Sequence, residues 1–298
     1  MKIGRFVLRL TRHFLKKSDD KKKEDWPSMD VYVSQRDVDV IGDGDFYHQM
    51  DIFYAAPEKR SGKTIIDIHG GAYIYGDRKN NFAFASVFLE KGYNVILLDY
   101  QQNLGTHGCE EQVAELCAGL RYIGAHASEL GLDLGNLYLI GDSAGGHFAL
   151  LLTELADDLA LQESLGFDLG GIRFRAMALS CPVYDFVRCV NTKEMAKSGR
   201  KYMFGPSFAD PNFALRLSPK EHIASLKTSF YLCSCSNDFL QQESMDLDHD
   251  SNEIGIEHRF EFIADARKEV GHVYNVIGFR LEESVATNQA IHEFFLAH

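Results

Sequence analysis

The chain has 298 residues, 45% of them hydrophobic and 25% charged, which are globular averages and exclude a disordered or fibrous protein. Acidic side chains outnumber basic ones 43 to 31, so general nucleic-acid binding through a basic surface is excluded as well. At this length a chain buries about 75% of its unfolded surface, which supplies a large core without disulfides or a structural metal. No apolar run reaches the ~18 residues of a membrane-spanning helix. Six cysteines without CxxC spacing read as reduced thiols, and the start of the chain is a poor secretory signal, so the expected location is cytoplasmic.

Residues 1–17 carry Lys2, Arg5, Arg9, Arg12, Lys16 and Lys17 and no acid. Ile3, Phe6, Val7, Leu10 and Phe14 recur at helical spacing, which predicts a basic amphipathic helix followed by a charged linker to residue 25. Two readings compete for it: weak peripheral contact with an anionic membrane surface, or packing on the protein body, which is favoured. Residues 26–298 are expected to form one α/β domain. Val31–Ile41 and Gln49–Ala55 read as a strand pair joined around Gly42-Asp43-Gly44. Thr64–Ile68, Asn94–Asp99 and Leu137–Ile140 are short apolar strands, with helices expected at Asn80–Lys91 and Glu110–Leu130 between them. A buried helix follows at Ala144–Leu155. Further strands are expected at Arg175–Ser180, Ser229–Cys235 and His258–Ile263, with a closing helix at Thr287–Leu296. Such alternation predicts a mostly parallel sheet wrapped by helices.

Chemistry enters at Gly141-Asp142-Ser143-Ala144-Gly145, a Gly-x-Ser-x-Gly run where a strand hands over to a helix. A turn this sharp strains the backbone at Ser143 and lifts its Oγ clear of the sheet. Upstream, His69-Gly70-Gly71-Ala72-Tyr73 follows a strand and can turn backbone N–H groups toward a reacting carbonyl oxygen. Read alone, it is a plain Gly-Gly turn with a structural histidine. A serine nucleophile needs a base, and the base an orienting acid. Asp238 falls just past one strand and His272 in the loop after the next, on the sheet edge that bears Ser143. Asp246, Asp248 and Asp250 are rival acids, but they fall within an expected helix. His126, His147, His222, His249 and His292 read as structural or solvated. No HExxH motif or paired Cys/His spacing appears, so no metal is expected.

Taken in order, HGGAY, GDSAGG, SNDFL and GHVYNV resemble the α/β-hydrolase superfamily, in its hormone-sensitive-lipase-like branch of esterases. The likeness runs over roughly residues 48–296. It implies an eight-stranded, mostly parallel sheet, a Ser143–His272–Asp238 triad, and an oxyanion hole made by Gly71, Ala72 and Ala144. It also implies that residues 182–222 form a small cap over the site. Ala72 departs from the family's commoner third glycine; its N–H is kept, while its methyl narrows the space for substrate. A second departure is Gln101 in Asp99-Tyr100-Gln101, where many relatives carry arginine.

The leading reading is a serine carboxylesterase acting on small, short-acyl esters, with a small-molecule ester as its partner and no cofactor. Amide or peptide hydrolysis by the same triad is the alternative, and a non-catalytic binding module on the same fold is a third.

Overall fold

The computed structural model describes residues 26–193 and 197–298; the basic helix and linker expected before residue 26 lie outside the described residues. Eight strands form one sheet: β1 (Val33–Asp39), β2 (Gln49–Tyr54), β3 (Thr64–Ile68), β4 (Asn94–Leu98), β5 (Leu137–Asp142), β6 (Ala176–Ser180), β7 (Phe230–Cys235) and β8 (His258–Ile263). Their spatial order is β1-β2-β4-β3-β5-β6-β7-β8. β1 and β2 pair antiparallel, β2 runs antiparallel to β4, and every pair from β4 to β8 is parallel.

Why the central strands read as unbroken apolar runs is clear from what covers them. Strands buried on both faces need no polar side, and parallel strands require helical crossovers that supply the cover. The period of two then sorts the side chains into two cores. Ile66, Ile96, Leu139 and Leu179 pack beneath α2 (Cys109–His126) and α3 (Ala144–Asp157). Ile65, Val95, Ile140 and Ala178 lie in the second core on the opposite face, with α1 (Phe82–Glu90) over β4. Phe295 of the closing helix (Glu282–Ala297) joins that second core. β1, at the edge, keeps the mixed exposure of a half-solvated strand.

Parallel strands bring their C-terminal ends to one edge. There β3 delivers His69–Ala72, β5 delivers Ser143, β7 delivers Asp238, and the loop after β8 delivers His272. Between β6 and β7 the chain leaves the sheet, and among the described residues of 186–222 it forms four short α-helices and a 3-10 turn at Pro206–Ala209. Among the described residues no helix is long and apolar enough to cross a membrane.

Candidate active site

Ser143 sits between the last residue of β5 and the first of α3, with φ 53° and ψ −116°. A serine reaches that region only where its surroundings fix it. Its N–H donates to the Ser180 carbonyl at 2.9 Å, while its carbonyl accepts from His147 N–H at 3.1 Å and Val183 N–H at 3.3 Å. Both flanking glycines are sterically required. A Cβ on Gly141 would lie 2.4 Å from the Gly145 carbonyl oxygen, and one on Gly145 would lie 2.0 Å from that of Ile68. The turn holds its serine at the top of the sheet because nothing larger fits beneath it.

His272 Nε2 is 2.9 Å from Ser143 Oγ, and its Nδ1 is 2.6 Å from Asp238 Oδ1. The three side chains form one hydrogen-bonded chain assembled from positions far apart in sequence. Asp238 is 1% exposed. Burial opposes its negative charge, but the hydrogen bond and charge of His272, with donation from Leu240 N–H and the Ser234 hydroxyl, outweigh burial and hold the carboxyl below its usual range. The rival acids are committed elsewhere: Asp246 to Arg188, Asp248 to His258, Asp250 to the Tyr184 hydroxyl. All three lie within the helix Gln241–Ile254, as the sequence reading placed them.

Cys181, which the sequence did not single out, supports this chain from behind. It follows β6 with φ 48°, and its Sγ accepts from Val273 N–H at 3.2 Å, next to His272 in sequence. Cys181, Asp238 and His272 place one ligand-type atom each within 4.8 Å of one another. Both imidazole nitrogens are already engaged, and burial pushes the Cys181 thiol far up, so it keeps its proton. Those features suit a proton relay rather than a set of metal ligands.

The loop after β3 carries three successive residues at positive φ: Gly71 at 129°, Ala72 at 51° and Tyr73 at 66°. Only glycine fits the first, where a Cβ would fall 1.8 Å from the Tyr75 carbonyl oxygen. Ile74 and Tyr75 N–H both close on the Gly71 carbonyl, while no backbone carbonyl among the described residues accepts from the Gly71 or Ala72 N–H. Ala144, the first residue of α3, likewise has an N–H with no partner in its own helix. A left-handed alanine costs roughly 1–2 kcal/mol. Its retention here fits a loop held tightly from outside.

That outside support is largely buried. His69 stacks on Tyr100 with ring centroids 4.4 Å apart, its Nδ1 2.6 Å from the Gly70 carbonyl and its Nε2 3.2 Å from Asp99. Gly70 N–H donates to Asp142. Arg78, fully buried, reaches Asp51 at 3.1 Å, Asp99 at 3.1 Å and the Phe46 carbonyl at 2.8 Å. His147 is also fully buried; its Nε2 donates to the Leu217 carbonyl at 2.6 Å, so its Nδ1 accepts from the Tyr73 hydroxyl at 3.1 Å. Burial pushes its pKa down to about 4. His147 is structural, as read from the sequence, and it ties the loop to the excursion after β6. Arg78 gave no sequence signal: a lone arginine in Asp77-Arg78-Lys79 reads as solvated until the fold closes over it.

The BD-FAE family model matches residues 50–249. The chain belongs to the BD-FAE family. This BD-FAE chain is 26% identical over 181 residues to "Probable carboxylic ester hydrolase LipM" of Mycobacterium tuberculosis, covering 59% of this chain and 41% of LipM. It is 25% identical over 139 residues to "Esterase LipI" of the same organism, covering 45% of this chain and 43% of LipI. The chain thus spans about two fifths of the length of these curated relatives. Among solved structures it resembles an inhibited Esterase B from Lactobacillus rhamnosis, with a TM-score of 0.89, 24% identity, and 99% and 96% of the two chains covered. A truncated carbohydrate esterase from gut microbiota gives a TM-score of 0.73 at 17% identity, covering 91% and 100%. These neighbours establish the α/β-hydrolase fold of this BD-FAE member, the fold its motifs resemble.

Proposed function

We propose that the protein is a serine carboxylesterase acting on small, short-acyl esters. The observation that carries this reading is the continuous hydrogen-bonded chain from Ser143 Oγ through His272 to buried Asp238. His272 Nε2 takes the hydroxyl proton as Ser143 Oγ attacks the ester carbonyl, and Asp238 holds the ring and stabilises its cation. The amides of Gly71, Ala72 and Ala144 receive the oxyanion, each such donor contributing about 3–4 kcal/mol. His272 then protonates the departing alcohol. Water, deprotonated by the same nitrogen, attacks the acyl-enzyme and releases the acid and Ser143.

The short-acyl preference rests on how the excursion after β6 is packed. Phe186 and Phe204 lie edge-on or tilted against Tyr73, with ring centroids 5.6 and 5.8 Å away, and both are buried. We read residues 182–222 as a compact cap whose aromatic side chains fill the space beside the oxyanion loop. Each methylene gains about 0.8 kcal/mol until the pocket ends, after which overpacking costs about 1–3 kcal/mol. Esterase B has been solved with a C4-C4 tributyrin phosphonate, a ligand of that protein whose size agrees with this reading. Six free cysteines, five of them buried, support the further reading that the protein is cytoplasmic.

The test is a nitrophenyl ester series on the wild type and three variants. Activity is expected to peak between about two and six acyl carbons. Asp238→Asn is expected to lower kcat by about four orders of magnitude, and Ser143→Ala by about as much or more. Asp246→Asn should stay close to wild type. A profile rising to long acyl chains would make the protein a lipase, and an unaffected Asp238→Asn would reassign the acid.

A further inference from the structure

Phe239 stands directly after Asp238 in the SNDFL block, and no role is assigned to it from the sequence. It is 76% exposed, more than any other large hydrophobic residue on the described surface. Its ring centroid lies 4.2 Å from that of His272, with the planes inclined by 41°. A phenyl ring left in water contributes nothing to the core, yet this one covers a face of the imidazole that faces Ser143 Oγ. Neither neighbour shares its position: Asp238 is 1% exposed, and Leu240 packs against the main core.

The chemistry proposed above fixes what must come near that ring. During acylation the alcohol oxygen has to lie within hydrogen-bond reach of His272 Nε2, because that nitrogen returns the proton to it. The first carbons beyond that oxygen then lie next to whatever flanks the imidazole. We propose that Phe239 is the floor of the leaving-group subsite, and that it selects esters of aromatic or bulky apolar alcohols over those of small alcohols. This rests on the serine-esterase reading and deepens it by naming the alcohol side. The acyl side, which packs toward Tyr73 and the cap, is not involved. An exposed aromatic face has apolar area to bury only when a ligand arrives, and aromatic pairs favour the inclined geometry such a ring offers.

Benzyl butyrate and methyl butyrate separate this role from others, because both give the same butyryl-enzyme and differ only in the alcohol. In Phe239→Ala the ratio of kcat/KM for benzyl over methyl butyrate is expected to fall three- to tenfold, carried mainly by KM for the benzyl ester. Phe239→Tyr should restore the ratio and Phe239→Leu should restore part of it. Because the ring is exposed, all three variants are expected to melt with the wild type. A ratio unchanged in Phe239→Ala, with both esters slowed equally, would show that the ring only shields His272 and would overturn the subsite. Wild-type protein that hydrolyses neither ester, or a Ser143→Ala variant as fast as wild type, would instead overturn the esterase reading itself.

Discussion

Asp67 poses the sharpest electrostatic problem of any single residue in the sheet. It is 2% exposed on β3, its Oδ1 takes only a 3.3 Å hydrogen bond from Asn81, and its Oδ2 has no partner. Burial first, and the nearby Asp142 second, push its carboxyl up to about 8. A raised carboxyl means that the folded protein keeps a proton which the unfolded chain releases from about pH 4 upward. Its contribution to stability is therefore fully present below pH ~4 and is lost as pH rises toward about 8. Asp67→Asn keeps an acceptor for Asn81 and has no proton to lose. Its stability relative to wild type should rise between pH 5 and pH 8 by on the order of 1 kcal/mol per pH unit, read from urea unfolding. A difference that stays constant over that range would mean that Asp67 is ionised in the folded protein.

Between elements, the decisive tie is the Arg78 guanidinium, which joins the segment after the oxyanion loop to β2 through Asp51 and Gln49 and to the end of β4 through Asp99. It also reaches Asp37 of β1. Removing one member of a buried ionic cluster strands the others, at a cost of about 3–5 kcal/mol. Arg78→Met is expected to lose that much in urea unfolding, and Arg78→Lys should recover little, since an ammonium cannot reproduce the fork. A loss below about 1 kcal/mol would show the cluster to be dispensable. Among the elements the sequence is legible wherever a long apolar run or a clear alternation marks the segment. The expected helix Ala144–Leu155 is found as Ala144–Asp157, and the strand His258–Ile263 is found with those bounds. The short helix Leu159–Leu165 was not foreseen: Asp158 caps it after a break of one residue, too little for periodicity to resolve.

For the whole molecule, Ser143, Asp238 and His272 are each marked locally in the sequence, by a glycine-flanked turn or a polar loop following a strand, and the fold brings these three candidates into contact. Parallel pairing from β4 to β8 then brings them to one edge, so strand order turns three sequence signals into one site. Arg78, Cys181 and Phe239 were not legible, because their meaning depends on neighbours that only the closed fold supplies: a buried acid pair, a backbone amide, and an imidazole face. The nucleophile proposed for this edge is Ser143 Oγ. It is tested most directly by treating the full chain with a short-alkyl phosphonate ester and measuring intact mass, followed by peptide mapping. A single phosphonyl adduct is expected on the peptide containing Ser143, with parallel loss of ester turnover and no adduct in Ser143→Ala. An adduct on another residue, or full turnover by Ser143→Ala, would contradict it.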